Sequence, residues 1–64
     1  MSYSEKQLPE GWYLKPVRDL AGDRGWVVFD REGEPQVHLF TKQETLKNAV
    51  EFARAQGLQP RRKS

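Results

Sequence analysis

The stretch Phe40-Thr41-Lys42-Gln43-Glu44 divides the chain into two kinds of pattern. Before it, apolar residues tend to recur in steps of two, the period of a strand. After it, Leu46, Ala49, Val50 and Ala53 fall at i, i+3, i+4 and i+7, the stripe of an amphipathic helix. Thr41 followed three residues later by Glu44 forms a capping box. The threonine hydroxyl can accept from the Glu44 N–H, and the Glu44 carboxylate can reach back to the Thr41 N–H. A helix is therefore expected from Lys42 to about Gln56, with Phe52 widening its apolar stripe. Gly57 can take the left-handed conformation that stops it, Leu58 can fold back onto Ala53 or Phe52, and Pro60 prevents resumption.

Three strand-forming segments precede the helix. Residues 12–17 are rich in strand formers, but Pro16 lacks a backbone donor, so this strand is an edge or ends there. Residues 26–31 open with Trp26-Val27-Val28-Phe29, apolar on both faces, and read as the central strand. Residues 36–40 alternate polar and apolar up to Phe40 and form the third strand. Between the first two lies a loop over 18–25, in which Leu20 is placed to plug one end of the core. The expected fold is α+β: a three-stranded antiparallel sheet with one C-terminal helix packed on one face (β-β-β-α), spanning residues 9–58. Residues 1–8 are expected to be a flexible N-terminal segment and residues 59–64 a basic tail.

The hairpin around Glu32-Gly33 decides which face of the sheet is core, because a slip of one residue inverts every side chain. A two-residue loop there, or a four-residue loop around it, pairs Val28 with Val37 and Trp26 with Leu39. A three-residue loop at 32–34 pairs Phe29 with Val37 and Val27 with Leu39 instead. We adopt the first register. It places Trp26, Val28, Val37 and Leu39 with Trp12 and Leu14 under the helix. The opposite face then carries Tyr13, Lys15, Val27, Phe29, Arg31, Gln36, His38 and Phe40.

Composition narrows the function classes. The 64 residues contain no cysteine, so no disulfide or thiolate is available. His38 is the single histidine, and no nucleophile–base pair is visible around it. The scattered carboxylates have neither zinc-ligand nor calcium-loop spacing. Gly22-Asp23-Arg24-Gly25 lacks the Gly-Lys-Ser/Thr of a phosphate loop. No enzyme activity, cofactor or metal is therefore expected. Residues 1–10 have no apolar run and no stretch approaches about 18 apolar residues, so a cytoplasmic protein without a membrane span is expected.

Charge is unevenly distributed. Residues 1–34 carry 5 basic and 7 acidic side chains, and residues 35–64 carry 6 basic and 2 acidic. Lys42, Lys47, Arg61, Arg62 and Lys63 are candidate anion contacts, although such runs are commonly only solvated. The more informative surface is the sheet face away from the helix, since one helix covers only one side. Tyr13, Lys15, Val27, Phe29, Arg31, His38 and Phe40 form the candidate binding face. Two alternatives stand beside this reading: the N-terminal segment, with Tyr3 and Leu8, folds over that face, or the register is inverted.

Gly25-Trp26-Val27-Val28, a glycine turn, then Leu39-Phe40-Thr41-Lys42-Gln43-Glu44 and Ala49 to Ala53 resemble small bacterial and phage β-β-β-α domains. One such group is the amino-terminal DNA-binding domain of tyrosine integrases, in which a strand runs into a Thr-Lys-x-Glu helix start. That resemblance covers residues 12–57 and implies a sheet that enters the major groove. The integrase face is rich in Arg and Lys, and this one is not. Uncharacterised domains of the same layout are equally similar. The expected function is accordingly a small interaction module that binds a protein partner or a second copy. A DNA- or RNA-binding accessory domain is the alternative.

Overall fold

The structure, a computed structural model, describes residues 3–18 and 20–60. It has three strands, β1 (Tyr13–Arg18), β2 (Arg24–Phe29) and β3 (Pro35–Leu39), followed by one helix, α1 (Lys42–Ala55). The sheet is antiparallel with order β1-β2-β3, so the strand apolar on both faces is central, as its composition requires. Both ends of α1 follow from local chemistry. The Thr41 Oγ1 accepts from the Glu44 N–H at 3.2 Å. The return bond from the Glu44 carboxylate does not form among the described residues, so only half of the expected capping box is present. At the other end, Gly57 at φ 80° lets its own N–H reach the Arg54 carbonyl and the Leu58 N–H reach that of Ala53. That pair of bonds is a Schellman motif.

Val28 pairs with Val37 and Trp26 with Leu39, the register adopted from the sequence. The turn that produces it is neither of the loops expected to. Asp30 closes a three-residue loop at 31–33: its N–H donates to the Glu34 carbonyl, and its carbonyl accepts from the Gly33 N–H. Gly33 has φ 85°, as the third position of such a loop demands. Alone, this loop would pair Val27 with Val37 and turn the wrong side chains to the helix. The register then shifts between Val28 and Phe29, where Phe29 pairs with Pro35 and Gln36 becomes the extra residue of a bulge. Turn and bulge together restore the pairing.

The helix packs on the face that carries Leu14, Val28 and Val37. Leu46, Ala49, Val50 and Ala53 are buried against Val28 and Trp12. Thr45 is fully buried as well, its hydroxyl donating to the Thr41 carbonyl at 2.7 Å. Phe52, expected to widen the stripe, is 40% exposed.

Two expectations about the periphery are corrected. Residues 5–7 form a 3-10 turn, with the Ser4 N–H donating to the Gln7 side chain. Leu8 that follows is fully buried in the core cluster, and Tyr3 packs against the same cluster and reaches Glu51. Residues 3–8 thus add to the helix side and do not cover the open face. Leu20 does not plug the core; it is fully exposed, because the loop carrying it projects past the last strand pair, Arg18 with Arg24. Truncating Leu8 to Ala is expected to lower unfolding stability by about 2–4 kcal/mol in a urea titration. Leu20→Ala is expected to change it by less than about 0.5 kcal/mol. Asp30→Ala should lower it by about 1–2 kcal/mol, since two backbone donors lose their acceptor.

Candidate functional site

Pairing across the sheet sets the rows of the open face. Tyr13 lies opposite Phe29, and Lys15 opposite Val27, which in turn faces His38. The Tyr13 and Phe29 rings stack at 5.1 Å between centroids with an interplanar angle of 22°. This offset pairing is the favourable geometry for two aromatic side chains. Val27, the residue beneath the face, is only 6% exposed although it contributes nothing to the helix-side core. Its shielding comes from its neighbours on the open side, so this face already packs as a shallow apolar layer. Tyr13 remains 44% and Phe40 75% exposed.

His38 lies against the backbone of Gly25. A methyl group at Gly25 would stand 2.9 Å from the His38 Nε2 and 3.3 Å from the Leu39 carbonyl. Only glycine permits this close approach. Beside it is a hollow of about 210 Å³ lined by Asp23, Arg24, Gly25, His38, Leu39 and Phe40.

The sequence-derived face is therefore assembled by the sheet with two exceptions, Arg31 and Gln36. Tyr13, Lys15, Val27, Phe29 and His38 share it, and Phe40 lies at its end beside His38. Arg31 does not belong to it. β2 ends at Phe29 because Asp30 takes the chain into the turn, with its Oδ1 accepting from the N–H groups of Glu32 and Glu34. Arg31 then packs against Gly11, where an added Cβ would come within 2.9 Å of the arginine Cγ. It lines a separate hollow with Trp12, Gln36 and Leu58. Gln36 leaves the face for the same reason: it is the bulged residue, and its amide donates to the Asp30 Oδ2 at 2.8 Å.

Among the described residues, the candidate anion contacts are not gathered into one site. Lys42 places its ammonium 5.7 Å from the centre of the Trp26 ring. Lys47 lies elsewhere, beside Tyr3, Gln43 and Glu44. Arg61, Arg62 and Lys63 lie outside the described residues. Among the described residues, no group of three or more His, Asp or Glu could hold a metal ion, and no helix is long and apolar enough to cross a membrane. Comparison with known protein families, characterised proteins and solved structures finds no match.

Residues that the sequence reading missed are mostly contributors to the scaffold of this face. Gly25 is one; its position before the apolar run marks a turn equally well, and nothing in the sequence ties it to His38. Gly25→Ala is expected to displace the imidazole and cost about 1–2 kcal/mol. Adding His38→Ala should recover most of that loss, a coupling that a double-mutant cycle of unfolding free energies measures.

Proposed function

We propose that this chain is a small non-enzymatic interaction module, of the bacterial or phage type its layout resembles. It works in the cytoplasm, a setting that suits a domain built without cysteine. It binds a protein partner or a second copy by covering the open sheet face or by adding a strand to its edge. One observation carries this reading. The single helix covers one face, and the other presents the stacked Tyr13–Phe29 pair and Phe40 around a shielded Val27, with no other element laid across them among the described residues. Aromatic side chains are enriched where proteins meet, and a contiguous exposed apolar layer is a recurrent mark of such a surface.

The nucleic-acid alternative draws on Lys15 and His38 flanking these rings, an arrangement on which bases can stack. It is weakened by the departure of Arg31 from the face and by the dispersal of Lys42 and Lys47. Titration with single-stranded and duplex DNA at two salt concentrations separates the two readings. No binding at low salt removes the nucleic-acid reading, because phosphate contacts show there first.

A photo-crosslinking residue in place of Phe40 is expected to give discrete protein adducts in cells. The same residue in place of Arg54, on the exposed side of α1, should give none. Phe29→Lys should abolish the adducts at position 40 while leaving the circular dichroism unchanged. Equal labelling from positions 40 and 54 would remove the open face as the binding surface.

A further inference from the structure

The two edges of the sheet are not equivalent. Pro16 in β1 stands opposite Trp26. Proline has no N–H to give, so this is a non-hydrogen-bonded pair and Pro16 occupies an outward-facing position on the edge. Trp26 and Val28 must then turn their backbone groups toward β3. The hairpin gives the same phase independently. Asp30 donates to Glu34 across the turn, and residues 30, 28 and 26 of one strand point the same way. Val37 and Leu39, their partners, face inward. The backbone N–H and C=O groups of His38 and Phe40 are left facing out of the sheet. No proline or lysine interrupts this edge after the bulge at Gln36.

We propose that a second copy of this chain adds antiparallel to β3 and joins the two sheets into one. This rests on the interaction-module reading and names its partner. With His38 opposite Phe40 of the second copy, the outward groups of both residues are used, on the order of four hydrogen bonds across the two-fold axis. Phe40 lies one residue past β3, and the pairing extends the strand over it. Leu39, half-buried in the single chain, meets its own counterpart on the helix side. Phe40, 75% exposed, meets His38 of the second copy on the open side. One contact thus covers the two apolar side chains at the C-terminal end of this edge.

Charge favours this occupant and this direction. The edge begins at a turn with Glu32 and Glu34 exposed and ends at the first turn of α1, where Lys42 and the positive helix end outweigh the single carboxylate of Glu44. Antiparallel addition sets the acidic turn of each copy along the Lys42 end of the other. Parallel addition would set like beside like.

An interface of this kind is small, and dissociation is expected at roughly 10–100 μM. Sedimentation of the full chain should show a monomer–dimer equilibrium in that range. Amide exchange at His38 and Phe40 should slow as concentration rises. His38→Pro removes the central outward donor without touching the β2–β3 ladder, as Pro16 does in β1, and should weaken the dimer at least about tenfold. Glu34→Lys should weaken it about fivefold, and Glu34→Lys with Lys42→Glu should restore it, a readout that does not depend on His38→Pro folding. A strict monomer at millimolar concentration overturns the proposal. So does a dimer that Phe29→Lys dissociates and His38→Pro does not, a result that would leave the open-face reading standing. Loss of the face-dependent adducts, with the edge dimer intact, would separate the two the other way.

Discussion

The carboxylate of Asp30 fixes which side of the sheet becomes core. It accepts from the backbone of Glu32 and Glu34 and from the Gln36 side chain, so one residue holds the tip of the hairpin and the bulged residue beyond it. A three-residue loop without the bulge, or the bulge with a different loop, would turn Val37 and Leu39 against the wrong partners. Val28, fully buried beneath α1, would then exchange places with a side chain now on the open face. Every statement about a covered and an uncovered face depends on that turn.

The small size of the chain explains why its periphery is not idle. A sheet of three short strands and one helix has little interior, and a domain of this length hides only roughly 60% of its unfolded surface. Leu8 and Trp12 extend the core cluster beyond the strands and helix. The Schellman turn at Gly57 brings Leu58 back to the hollow that Trp12 lines. Tyr3 reaches Glu51 from the opposite end of the chain. Segments that flank the regular elements therefore contribute to folding as the elements themselves do, in place of absent cross-links.

The helix, its caps and the strand order were legible in the sequence because each is set by local spacing: the Thr41–Glu44 interval, the Leu46–Ala53 stripe, Gly57. The register was legible for a different reason than expected. Burying Val28, Val37 and Leu39 on the side of Trp12 agrees with the pairing that the Asp30 turn and its bulge impose, and the bulge leaves no clear mark in the residue pattern. Arg31 was misplaced because strand propensity continues past Phe29, whereas the hydrogen bonds of Asp30 end the strand there. Leu8 and Leu20 were assigned opposite roles from those they play. Each is a single leucine among polar residues, and only the path of the chain decides which one meets the core. Of the candidate face, the five residues on paired strands were readable from alternation. The close approach of His38 to Gly25 was not, being a relation between strands that no local pattern encodes.

Pro16 has a consequence for how many copies such a sheet could ever gather. A strand that accepts neighbours on both sides can propagate without limit, which is the route to fibres. Here Pro16 interrupts one border, and among the described residues the border on β3 has no proline after the bulge. When that border is occupied, both outer limits of the joined sheet are β1, and each is closed by its own proline. In the proposed dimer a single imino acid on each outer strand would thereby set the stoichiometry and hold the assembly at two.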